Sequence, residues 1–163
     1  MTGPLVIVGD SLLDIDLHGR AGRLSPDAPV PVLEDLDERA RPGGAGLAAL
    51  MASADTEVVL VTALGDDEAG GRVRELLAAV DLRTVPYDGP TPVKQRVRAG
   101  SQSLLRLDHG NGGGRIGEVD EGIEAVLRRA GAVLVSDYGR GMTGMQRLRA
   151  RLESLPSRIP VVW

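Results

Sequence analysis

The sequence predicts an α/β domain: a mainly parallel sheet flanked by helices, with a small antiparallel β lid. Three observations predict it. Short, wholly apolar, β-branched runs recur along the chain. Helix-period stretches separate them. Two further segments break the alternation and read as hairpin material. At 163 residues, 42% hydrophobic and 26% charged, the chain is long enough for a core of its own and has the composition of one globular domain.

Pro4–Gly9 (PLVIVG) is a buried strand leaving into a loop. Glu57–Thr62 (EVVLVT), Ala132–Ser136 (AVLVS) and Ile159–Trp163 (IPVVW) repeat the pattern, and Leu82–Val85 is a fainter version of it. Helices are expected over Gly46–Ala54, Asp67–Val80, Gly117–Ala130 and Met142–Leu155. Strand and helix in alternation predict a parallel sheet. The exceptions lie at about 15–37 and 91–108. In the first, Pro29 and Pro31 forbid a central strand but permit an edge strand. In the second (TPVKQRVRAGSQSLLRLD), apolar-polar alternation runs on both sides of Gly100-Ser101, which suits a turn. Asn111–Gly114 (NGGG) reads as a flexible linker.

Composition excludes several functions. There is no Cys, so disulfides, thiolate metal sites and a Cys nucleophile are ruled out. Two histidines, His18 and His109, are too few for a His-rich metal site. A net charge of −4 and 2% aromatics offer neither the basic field nor the stacking platforms of a nucleic-acid binder. No apolar run is long enough to span a bilayer, and the N-terminus lacks a signal-peptide pattern. The expectation is a cytoplasmic protein that binds neither nucleic acid nor membrane.

Five motifs are candidates for chemistry. Gly9–Asp14 (GDSLLD) follows the first strand, where open α/β sheets bind ligands. A carboxylate there either accepts hydrogen bonds from ligand hydroxyls or bridges the loop; both readings stand for Asp10 and Asp14. Arg41–Gly46 (RPGGAG) opens a small-residue helix whose amides can approach an anion or hydroxyl. Its GxGxxA spacing also matches a dinucleotide fingerprint, but LEDLDERARP precedes it rather than a buried strand. Asp66, Asp67 and Glu68 are explained as a helix N-terminus with acids in its first turn. Lys94, Arg96 and Arg98 share one strand face, with Arg106 on the next strand; they hold a phosphate or form a solvated face. Ser136–Gly141 (SDYGRG) again follows a buried strand and gathers an acid, a phenol and a guanidinium.

GDSLLD, SPDAPVPV, RPGGAGLAA, LGDDEAG, TPVKQRVRAGSQSLLRLD and VSDYGRG follow in the order seen in ribokinase (PfkB-type) sugar kinases. The chain resembles that family from Leu5 to Trp163, and within it the heptose-7-phosphate kinases of ADP-heptose biosynthesis. The resemblance implies a ribokinase-like fold with a β lid closing over the sugar. It implies that Asp14 binds sugar hydroxyls and that Gly43 and Gly44 form the lid hinge and sugar site. It places Lys94 and Arg106 near the sugar or its phosphate, and Asp137, Tyr138 and Arg140 in the strand-end loop. ATP and Mg²⁺ are implied for the parent enzyme, with a sugar phosphate as partner and a homodimer through the lid.

Two departures qualify the resemblance. Leu47 stands where the family presents an Asn to the sugar. The family's catalytic base is an Asp in a GAGD-like motif, and neither G-x-G-D nor a Walker-type loop occurs in these 163 residues. The expectation is therefore the N-terminal, sugar-binding half of such a kinase, with the C-terminal half and the base beyond Trp163, and with no activity alone. The alternatives are a non-catalytic sugar-phosphate-binding module or degenerate kinase remnant, and a Rossmann-type dehydrogenase half.

Overall fold

A computed structural model describes residues 3–111 and 113–163. Met1, Thr2 and Gly112, the last within the expected linker, lie outside the described residues. The elements are β1 (Leu5–Gly9), β2 (Ser11–Leu24), β3 (Pro31–Gly44), α1 (Ala45–Ala52), β4 (Val58–Ala63), α2 (Glu68–Leu76), β5 (Asp81–Val85), β6 (Val93–Ala99) and β7 (Gln102–His109). They continue with α3 (Glu121–Arg128), β8 (Ala132–Ser136), a 3₁₀ turn at Met142–Gly144, α4 (Gln146–Glu153) and β9 (Val161–Val162).

The apolar runs form one parallel sheet in the order β5-β4-β1-β8-β9. Successive side chains of β1 enter opposite layers, so the run has to be apolar on both faces. Val6 and Val8 join one cluster with Val59, Val61, Val133 and Val135, covered by Ile123, Leu127, Leu148 and Leu152 from α3 and α4. Ile7 and Leu60 join the other, covered by Ala45 and Ala49 of α1 and Val73 of α2. No described helix is long and apolar enough to cross a membrane.

The second sheet runs β3-β2-β6-β7 and corrects the expected antiparallel lid, because β2 and β6 pair in parallel. Both strands leave the carboxyl side of the main sheet in the same direction. Each then returns through its own antiparallel partner, β3 or β7. The first lid segment is also longer than 15–37, while the second falls almost wholly within 91–108. They cover 11–24 and 31–44, then 93–99 and 102–109. Hydrogen-bonded pairing begins as soon as Ser11 meets Gly44, so GDSLLD is largely strand and not loop. The prolines keep β3 at the edge, and Gly100, at φ 55°, makes the β6–β7 turn.

Period-2 alternation gives the lid two unlike faces. Leu13, Ile15, Leu17 and Val93 point into the cluster around α1 and α2. Asp14, Asp16, Lys94 and Arg96 take the other face. The expected linker is partly packed. A Cβ at Gly114 would lie 2.1 Å from the Tyr87 ring, and one at Gly89 2.4 Å from the Tyr87 hydroxyl, so two glycines clasp that side chain.

One buried acid fastens α4 to α3. Glu124 is 5% exposed and bonds Arg147 at 2.8 Å and Arg151 at 2.9 Å, with Arg128 at 3.7 Å. Burial pushes its carboxyl up, but the Arg147 and Arg151 hydrogen bonds and charges outweigh this and hold it below the usual range. The bound form is therefore favoured above the unfolded value of about 4.3, and that stability is lost as pH falls through the lower folded value. Glu124→Gln is expected to lower Tm at pH 7 and to flatten the decline of Tm below about pH 4.3. Asp16, Asp67 and Asp137 are lowered too, so some slope remains. Equal slopes in thermal scans of both proteins would count against this role.

Candidate functional site

The site is built outward from Asp10, the one residue between β1 and β2. It is 4% exposed. Its carboxylate accepts from the backbone N–H groups of Tyr138 (3.0 Å), Arg140 (3.0 Å) and Met142 (3.2 Å). Its carbonyl accepts from Ala45 N–H at 2.9 Å, the start of α1. Of the two readings open for this acid, the structure selects the bridging one. Gly44 is required beside it: φ is 61°, and a Cβ would stand 2.3 Å from the Asp10 carbonyl oxygen. The Thr62 hydroxyl donates to the Gly9 carbonyl at 2.7 Å and lies 3.0 Å from the Ser11 hydroxyl, closing the floor.

Asp14 sits on β2, 9% exposed, with each carboxylate oxygen engaged by a different guanidinium. Oδ1 accepts from Arg96 of β6, and Oδ2 from Arg41 of β3 at 3.3 Å. Arg41 also donates to Asp16 at 2.5 Å. Burial pushes the Asp16 carboxyl up, yet the Arg41 hydrogen bond and the charges of Arg41 and Arg96 hold it below the ordinary value. A carboxylate oxygen can accept two hydrogen bonds, so each Asp14 oxygen retains capacity for a ligand hydroxyl.

The structure brings several expected residues together. Lys94 is opposite Asp14 in the β2–β6 register, and Gly43 is opposite Leu12. A Cβ on Gly43 would lie 3.6 Å from the Asp14 Cβ, and one on Gly44 would lie 3.5 Å from the Tyr138 ring. Asp14, Gly43, Gly44, Lys94 and Tyr138 thus form one continuous surface where the lid leaves the sheet. Asp137 is at the end of β8 and turns into its own loop. It accepts from Gly139 N–H at 2.8 Å and the Thr143 hydroxyl at 2.7 Å, and these bonds hold its carboxyl below the usual range. Arg140 reaches Asn111 at 3.1 Å. Arg106 lies one strand beyond Arg96 and grips Asp108. Arg41 and Arg96 complete the Asp14 arrangement, a role the sequence did not give them: Arg96 is expected only in the cationic row of the lid and Arg41 only at the head of the glycine motif. The signal for them is the acid pair at 14 and 16, which on a strand demands cations from both neighbours. Among the described residues, no group of three or more His, Asp or Glu is placed to hold a metal.

Acids at the α2 start behave as a cap, with one addition. Asp67 accepts from Gly70 N–H at 2.8 Å and also from Thr91 N–H at 2.7 Å, tying the entry to β6 onto α2. Beside it, against the apolar face of the lid, runs a groove of about 370 Å³ lined by Leu13, Ile15, Thr91, Val93 and His109.

No family model matches the chain. It is 49% identical to the bifunctional protein HldE of Streptomyces coelicolor, over 98% of this chain and 34% of that protein. It is 39% identical to HldE of Chromohalobacter salexigens, over 84% of this chain and 30% of the relative. Arabidopsis thaliana ribokinase, solved with ribose and ATP, superimposes with a TM-score of 0.62 at 21% identity, over 99% of this chain and 53% of that one. The fold is therefore ribokinase-like, and the sequence is similar over nearly its whole length to part of HldE. The ribokinase of Cryptococcus neoformans, solved with ADP, gives 0.58 at 17% identity over 97% and 48%. The ribokinase-like chain spans about a third of the length of the HldE proteins it matches. Its glycines at 43, 44 and 46 lie at the end of β3, an antiparallel edge strand of the lid, and the start of α1, so the dinucleotide fingerprint lacks the buried parallel strand it needs.

Asp10→Ala would leave three backbone donors without their charged acceptor. A loss of about 2–4 kcal/mol is expected in denaturant unfolding. Faster hydrogen exchange should appear at the amides of Tyr138, Arg140 and Met142. Unchanged protection there would refute the bridging role.

Proposed function

We propose that this chain is the sugar-binding part of a ribokinase-type kinase acting on a sugar phosphate of the heptose-phosphate class. The parent reaction transfers the γ-phosphoryl group of ATP to a sugar hydroxyl, giving a sugar bisphosphate and ADP. One observation carries the proposal: Asp14, Gly43, Gly44 and Lys94 adjoin where the lid meets the carboxyl end of the sheet. Asp14 accepts hydrogen bonds from two neighbouring sugar hydroxyls through its remaining lone pairs. Gly43 and Gly44 let the ring approach the backbone closely. Lys94 and Arg106 supply positive charge at the lid, while Tyr138, Asp137 and Arg140 border the ligand from the end of β8.

The residues present do not fit ATP or Mg²⁺. No glycine-rich helix start ending in Asp occurs in the sequence, and the described acids form no metal cluster. No step through either is assigned to this chain, and both belong to the proposed parent enzyme. That enzyme is cytoplasmic in this reading. It pairs through the lid, where Leu36 (59% exposed), Leu105 (50%) and Leu107 (38%) leave apolar surface uncovered. Light scattering that gives a single-chain mass at tens of micromolar would contradict the pairing.

Heptose 7-phosphate binding, followed by calorimetry, tests the sugar site. Asp14→Asn halves the acceptor capacity at the same shape, and affinity is expected to fall at least about tenfold. Equal affinity would remove Asp14 from the site. In a coupled ADP-release assay the 163-residue chain is expected to give no turnover, because general-base and anion-hole groups each contribute about 10²–10⁴-fold or 10²–10³-fold. Measurable ADP release would place catalytic groups among these residues.

A further inference from the structure

We propose that the Arg72–Glu38 ion pair is a releasable tether that holds the lid back against α2, and that the lid breaks it on closing over a ligand. The inference rests on the sugar-site reading above and names what regulates that site.

Among the described residues, this is the one ion pair that joins the lid to the rest of the molecule. Every other ion pair made by a lid side chain has both members in the lid. Arg72 donates from α2 to Glu38 of β3 at 2.6 Å. Glu38 is the register partner of Leu17, so it stands on the apolar face of the lid, the face turned toward α2. Between lid and helix the groove of about 370 Å³ stays open, with Leu13, Ile15 and Val93 on one wall and Asp67, Ala69 and Arg72 on the other. Asp14, Asp16 and Lys94 take the opposite face of the same sheet. A lid that swings onto a ligand held by those residues therefore swings away from α2 and widens the groove.

The helix grips the lid at two places of unlike strength. At the root, Asp67 accepts from Thr91 N–H at 2.7 Å, and the hydroxyl of Thr91, a residue 2% exposed, accepts from Gly65 N–H at 2.9 Å. This contact lies just before β6 and acts as the pivot. Farther out, the Arg72 and Glu38 side chains are 34% and 44% exposed, and pairs so exposed are readily given up. Glu38 stands on β3 a lever of about 20 Å from Gly44. A swing of about 10° at the root displaces it by roughly 3–4 Å, beyond hydrogen-bond reach. Arg72 then has a second partner in Glu68, one turn earlier on α2 and lining the same groove. The guanidinium thus has two discrete arrangements, on the lid or on its own helix, and the lid's position selects between them.

The test uses the 163-residue chain, which has no Cys. Glu75→Cys on α2 and Ser101→Cys in the β6–β7 turn, both exposed, take a pair of spin labels whose separation is read by pulsed electron spin resonance. Without ligand, Arg72→Gln and Glu38→Gln should each lengthen the mean distance by about 3–5 Å. The exchange of Arg72→Glu with Glu38→Arg should restore the starting value. Unchanged distances in the two single variants would overturn the tether. In calorimetry, both single variants should bind heptose 7-phosphate about two- to fivefold tighter, although one removes a positive and the other a negative charge. Opposite changes would trace the effect to long-range charge, and unchanged or weaker affinity in both would remove the tether from regulation; each result overturns the proposal. If heptose 7-phosphate does not bind the wild type, the sugar-site reading fails and the unliganded distances alone decide. Lengthening that the exchange reverses upholds the tether, and any other result overturns it.

Discussion

The carboxylate and carbonyl of Asp10 hold the ligand end of the molecule together. Three polypeptide stretches far apart in sequence converge on this one residue: the end of β1, the start of α1 and the loop after β8. Hydrogen bonds to a charged acceptor contribute about 1.5–3 kcal/mol each, and a buried acid without them is costly. The geometry then propagates. Because Ala45 N–H is fixed on the Asp10 carbonyl, Gly44 must turn at φ 61°, and β3 is delivered alongside β2. That pairing sets Arg41 opposite Asp14 and so fixes the charged face of the lid.

The lid's two faces obey different physics. One continues the apolar core through Leu13 and Ile15. The other holds acids at 9% and 8% exposure, Asp14 and Asp16, whose burial is offset by guanidinium groups: Arg41 and Arg96 bond Asp14, and Arg41 bonds Asp16. Removing a partner from such a lattice leaves a neighbour uncompensated, so its members are expected to behave as a unit. Preorganised acceptors beside preorganised donors suit a ligand carrying both hydroxyls and a phosphate.

The body of the fold was legible because parallel strands buried on both faces must be apolar throughout. PLVIVG, EVVLVT and AVLVS announce β1, β4 and β8 almost residue for residue. The lid was legible as hairpin material but not in its pairing. Nothing in local alternation says that β2 and β6 run parallel; that follows from both leaving the carboxyl end of the main sheet. Asp14 stood out as a candidate, yet its place on a strand was hidden by the loop-like GDSLLD. Arg41 and Arg96 were legible only as members of basic stretches, since their meaning depends on strand register. Gly114 looked like linker and proves to be packing, because the Tyr87 ring it admits comes from another loop.

The central claim is that the charged face of the lid, and not the groove of about 370 Å³ against its apolar face, receives the sugar. Backbone ¹H–¹⁵N shift mapping during a heptose 7-phosphate titration tests this directly. The account predicts the largest changes at Asp14, Gly43, Gly44, Lys94, Arg96 and Tyr138. Changes concentrated instead at Ala69, Thr91, His109 and Gly110, which line the opposite groove, would contradict it.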